Sequence, residues 1–141
     1  MKEVVNDVIP VGYASSMTVW PLLFVRRKYM ERLAQFPELL ERMRRHEAVH
    51  GEQQKEMLCA AVALAALLLL VGCGWWSLLA LPLFFWWYGA EWIVRSIQFR
   101  SFHVGYRNIS YEREAYYFQD DVGYLERRRR WSWIRWLRQP K

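Results

Sequence analysis

Met57–Ile97, MLCAAVALAALLLLVGCGWWSLLALPLFFWWYGAEWIVRSI, decides the fold, because across this whole stretch only Glu91 and Arg95 carry charge. Leu58 to Val71 is an unbroken apolar run, and Gly72-Cys73-Gly74 is a break that ends a helix. Trp75 to Ile97 is a second apolar segment, with Pro82 as a kink and the aromatic cluster Phe84, Phe85, Trp86, Trp87, Tyr88 and Trp92. Two apolar segments joined by a glycine turn predict a helical hairpin at about 57–97. A spanning helix needs about 20 apolar residues. The second segment reaches that length, whereas the first does so only if Lys55 and Glu56 lie at the interface, so the hairpin is transmembrane or re-entrant. The competing reading is the buried centre of a soluble all-helical protein. Nine tryptophans favour the bilayer, since indole prefers the membrane interface.

The flanks fix an orientation. The hairpin turn has no Lys or Arg, whereas Arg42, Arg44, Arg45 and Lys55 precede it and Arg95, Arg100 and Arg107 follow it, which predicts both termini on the cytoplasmic side. Met1 to Val8 mixes charges and lacks a basic head before an apolar core, so it does not read as a cleaved secretory signal. The expected location is therefore integral to a membrane. A length of 141 residues fits a single domain, 1–141. Cys59 and Cys73 fall in or beside the apolar block as small hydrophobes and suggest no disulfide framework.

The rest of the chain reads as amphipathic helices with a short extended N-terminal segment. Gly12 to Val25, interrupted by Pro21, is expected to be extended. Arg26 to Met43 has helical apolar spacing, with Pro37 marking a fresh start. A further helix is expected to begin near Met43 and run into the apolar block. Gln98 to Ile109 reads as a polar connection, and Tyr111 to about Arg130 as a helix with Ser110 as its N-cap. The fold class is thus all-α, an integral membrane hairpin packed with amphipathic helices.

Net charge is +6, but the tail from Arg127 to Lys141 holds seven basic residues and no acid, leaving 13 basic against 14 acidic residues elsewhere. Arg127, Arg128, Arg129 and Arg130 followed by Trp131, Trp133 and Trp136 form a basic aromatic tail suited to anionic lipids. A nucleic-acid partner is disfavoured, since a tryptophan-rich tail beside a bilayer already explains the charge.

His46-Glu47-Ala48-Val49-His50, just ahead of the apolar block, is an H-E-x-x-H. On a helix, residues i and i+4 share a face, so His46 and His50 can hold one Zn²⁺ while Glu47 serves as general base. The bland alternative is two histidines on a solvated helical face among Arg44, Arg45, Glu52 and Glu56. A catalytic zinc takes three protein ligands and one water, and Glu112, on a separate downstream helix, is the best candidate for the third. If the hairpin turn centres on Cys73, Glu91 lies level with Lys55, near the depth of the motif. Glu91 is then a partner of a ligand histidine or a rival ligand, or simply an i, i+4 ion pair with Arg95. Glu114 reads as a helix N-terminal charge or an alternative ligand. His103, Tyr106, Tyr111 and Tyr116 are candidate donors to an oxyanion, with nothing to select among them.

His46-Glu47-x-x-His50 followed by Glu112-x-x-Ala115-Tyr116 resembles the gluzincin metallopeptidases, including the small minigluzincins. The resemblance implies His46, His50 and Glu112 as zinc ligands, Glu47 as base and proton shuttle, and close helix packing at Ala115. Of the edge strand that binds substrate in many gluzincins, only Met17 to Val25 could play the part. Gln53 and Gln54, Tyr88-Gly89-Ala90-Glu91 and Glu112 to Tyr116 also resemble segments of small uncharacterised bacterial membrane proteins. The expected function is a membrane-embedded zinc metallopeptidase acting on a peptide or membrane protein at the cytoplasmic face. The rival is a non-catalytic membrane protein with a structural metal or none, its tail recruiting lipid or a partner. A structural site would be closed by Glu91, Glu114 or His103 as fourth ligand, and the same donor set suits iron or manganese as well as zinc.

Overall fold

The computed structural model describes residues 1–10 and 14–138; Gly12, where the extended segment was expected to start, and the tail beyond residue 138 lie outside them. The chain is predominantly helical. It divides into two compact units: Met1–Glu52 with Glu114–Arg129, and Gln53–Arg113 with the chain from Arg130 onward.

In the first unit the expected extended segment is part of a three-stranded sheet. Strands β1 (Lys2–Val5), β2 (Ser16–Val19) and β3 (Leu22–Val25) lie in the order β1-β3-β2. β1 runs parallel to β3, with Val4 opposite Phe24, and β2 runs antiparallel to it, with Thr18 opposite Leu23. Trp20 and Pro21 make the turn, where a proline without an N–H interrupts no ladder. Alternation along β3 turns Leu23 and Val25 inward onto Leu33 and Met43. Helix α1 (Arg27–Leu33) stops before Pro37, which opens helix α2, Pro37–Leu70. A fixed φ and a missing N–H suit the first helical position, so α2 starts six residues earlier than the motif spacing suggests. A second core joins Val49 of α2 to Ala115 and Tyr124, with Phe118 against it.

The helix expected from Tyr111 to Arg130 is broken. Helix α5 spans Ser110–Phe118, and after a turn at Gln119 to Gly123 a short helix α6 covers Tyr124–Arg127. Asp121 accepts the Gly123 N–H in that turn, the local bond that competes with helix. The break folds Tyr124 back so that its ring stacks on Phe118 with centroids 3.6 Å apart.

In the second unit α2 continues to Leu70 and ends at Gly72 and Gly74, both in the left-handed region at φ 87° and 53°. A 3₁₀ helix, Gly74–Ala80, leads to Pro82 and helix α3, Leu83–Phe99. The two are bent by 61° at the expected proline break. The polar connection after Ile97 is corrected: it contains helix α4, Phe102–Arg107, N-capped by the Ser101 side chain, which accepts the Val104 N–H. Gly105 lets α4 lie on α3, because a Cβ there would come 2.6 Å from Ser96 backbone atoms. The core is Met57, Phe84, Ile109, Tyr111 and Trp133. Around it the apolar surface is open, with Leu70 and Trp75 at 86% and 87% exposure and Val62, Leu67, Trp76 and Ile97 also exposed. Among the described residues α2 is the one helix long and apolar enough by itself to cross a membrane.

Candidate metal centre

His46, Glu47 and His50 sit on the N-terminal half of α2, all buried to within a tenth of their surface. The four-residue spacing brings the two imidazoles together, with Nε2 atoms 3.2 Å apart and rings nearly perpendicular at 81°. Two nitrogens on a tetrahedral zinc, each at 2.0–2.1 Å from the ion, are about 3.3 Å apart. The pair therefore has the spacing of ligands to one ion.

Helix α5 brings the third donor. Val49 and Ala115 pack where α2 meets α5, and the Tyr116 ring lies against His46 with centroids 4.6 Å apart. Ala115 has no exposed surface. One turn before it stands Glu112, 2% exposed. One ligand atom from each of His46, His50 and Glu112 lies within 4.8 Å of the others, a group that could hold a metal ion. Two imidazoles and one carboxylate are borderline donors that suit zinc.

Two sets of hydroxyls fix the carboxylates, and sequence reasoning missed both. Ser16 Oγ donates to Glu47 Oε1 at 2.6 Å and Thr18 Oγ1 to Oε2 at 2.8 Å. Both come from β2, so the small sheet orients the residue between the histidines. Tyr88 of α3 donates to Glu112 Oε1 at 2.7 Å. The only trace of these in the sequence is an inward Thr18 in an apolar strand and a tyrosine among tryptophans.

The alternative ligands are committed elsewhere. Glu91 accepts the Ser110 N–H at 3.0 Å, the Ser110 hydroxyl at 2.6 Å and the Arg95 guanidinium at 3.3 Å. Ser110 therefore does not cap α5 with its own oxygen; a carboxylate reaching from α3 does so. Glu114, expected as a helix-terminal surface charge, has no exposed surface and accepts from Tyr124 Oη at 2.5 Å and Arg128 Nε at 2.8 Å. His103 is exposed on α4. Of the candidate oxyanion donors, Tyr116 touches His46, Tyr106 lies near Tyr88, and Tyr111 is buried in the core, stacked on Phe84. Burial, with Glu91 and Glu56 nearby, pushes the Tyr111 phenol well above its ordinary range, so it stays neutral.

The basic aromatic tail is only partly a free surface. Arg128 is withdrawn to pair with Glu114, its side chain 4% exposed, and Trp133 enters the core beside Tyr111. Trp136 lies under the Arg113 guanidinium, 5.3 Å from its ring centre, and its carbonyl accepts from Arg113. Burial lowers the pKa of Arg113 from its ordinary value. Arg127, paired with Asp121, and Arg129, Arg130 and Trp131 remain exposed. No family model, curated protein or solved structure matches the chain.

Proposed function

We propose that the protein is a membrane-embedded zinc metallopeptidase whose ligands are His46, His50 and Glu112. The observation that carries the reading is the convergence of these three donors within 4.8 Å, with Glu47 in the same turn of α2. The group has three members among the described residues, and Glu91 and Glu114, which could have closed it, are bonded to other partners. Three protein ligands leave a position for water, the mark of a catalytic rather than a structural site. Zinc bound there would lower the pKa of water and polarise a scissile carbonyl. Glu47, its two oxygens held by Ser16 and Thr18, would take the proton of the attacking water and return it to the leaving amine.

The membrane assignment is supported by the exposed apolar side chains of the second unit, Val62, Leu67, Leu70, Trp75, Trp76 and Ile97 among them, because exposed apolar surface marks contact with a membrane or a partner. The apolar part of α2, Met57 to Leu70, is about 21 Å long at 1.5 Å per residue, short of the roughly 30 Å hydrocarbon core. A re-entrant hairpin, entering from the cytoplasmic face and carrying Trp75 and Trp76 at its tip, fits that length. Exposed Arg127, Arg129 and Arg130 then lie within reach of anionic headgroups, and the substrate is a peptide or membrane protein presented at that face. Glu47→Gln tests the mechanism: it is expected to keep its zinc and lose peptide hydrolysis, and a fully active variant would overturn the role of Glu47.

A further inference from the structure

The apolar helix α3 holds two polar side chains that both reach α5. Tyr88 donates its hydroxyl to Glu112 Oε1 at 2.7 Å. One turn on, Glu91 accepts both the N–H and the hydroxyl of Ser110, the first residue of α5. Glu91 is in turn held by Arg95, which also donates to the Leu137 carbonyl at 2.7 Å. Buried polar groups in so apolar a helix are expensive unless they are satisfied, and Tyr88 and Glu91 are both satisfied on the helix that carries the third metal donor. Glu91 fixes where α5 begins, and Tyr88 fixes the rotation of the carboxylate two residues further on. The Tyr88 ring is itself locked by packing beside Phe84, Tyr106 and Tyr111, so its hydroxyl is delivered from a rigid support.

We infer that Tyr88 is the positioning residue of the metal centre, presetting Glu112 for coordination, and that the apolar helix α3 is thereby a structural part of the metal site. This rests on the zinc reading above. Partners of ligating carboxylates typically tune metal affinity by 10- to 100-fold, because an unheld carboxylate must be ordered as the ion binds.

The test is a zinc competition titration against a chromophoric chelator on the full chain in detergent, for the wild type, Tyr88→Phe, Glu112→Ala and the double variant. Tyr88→Phe keeps the ring and its packing. It is expected to weaken zinc about 10-fold or more, to have no further effect in the Glu112→Ala background, and to change the visible absorption of the Co²⁺-loaded protein. A merely structural hydroxyl would act equally in both backgrounds. Wild-type affinity in Tyr88→Phe, or an equal loss with and without Glu112, would overturn this inference while leaving the zinc site standing. A wild type that binds no zinc would overturn both.

Discussion

At the scale of single residues, the buried charges are the most informative. Glu114, which has no exposed surface, is held by Arg128 and Tyr124, and the Arg128 side chain is almost as deeply buried. Removing one partner of such a pair leaves an uncompensated charge in a medium that solvates it poorly, at about 3–5 kcal/mol. Arg128→Ala is therefore expected to destabilise the protein by that amount in chemical denaturation, whereas Arg129→Ala, on the exposed side of the same run, is expected to change it by less than about 0.5 kcal/mol. The sequence does not separate these arginines. In a run of four identical side chains, only the break after Phe118 and the fold-back of Tyr124 decide which one meets Glu114. His46, His50 and Glu47, by contrast, were legible because their spacing is a property of one helix. Ser16, Thr18 and Tyr88 were not, since each acts across 24 or more residues of intervening chain.

At the scale of elements, local signals succeeded where they were strong and failed where pairing was remote. Pro37, the Gly72 to Gly74 break and the Pro82 bend stand where proline and glycine chemistry puts them. Strand β1 was invisible, because four residues with two charges form a strand only by pairing with β3 some twenty positions away. Helix α4 was missed because Gly105 lowers its helix propensity, although Ser101 was an available N-cap signal. That glycine is there for contact. Gly105→Ala would drive a methyl group into the Ser96 backbone, and an overpacking loss of about 1–3 kcal/mol is expected, read as a lowered midpoint in thermal or denaturant unfolding. A variant as stable as wild type would mean that α4 can lift from α3 without loss.

At the scale of the whole molecule, the chain pairs flanks rich in charge with one long stretch, Met57–Ile97, that is almost free of it. The apolar helices were legible from composition, and the bend between Gly74–Ala80 and α3 from Pro82. What composition could not supply is the use of α3 as the support for Glu112. If the hairpin is re-entrant, Cys73 at its turn sits in hydrocarbon. A nitroxide on Cys73, with Cys59 replaced by Ser, is expected to be accessible to oxygen and shielded from a water-soluble nickel chelate in liposomes. The opposite pattern would place the turn in water and contradict the re-entrant hairpin.

Whether His46, His50 and Glu112 form one metal site is read by elemental analysis of the detergent-purified protein. One zinc per chain is expected in the wild type, lost in both His46→Ala and Glu112→Ala. A wild type without metal, despite zinc supplied during expression, would contradict the site, and zinc retained in Glu112→Ala would contradict its third ligand.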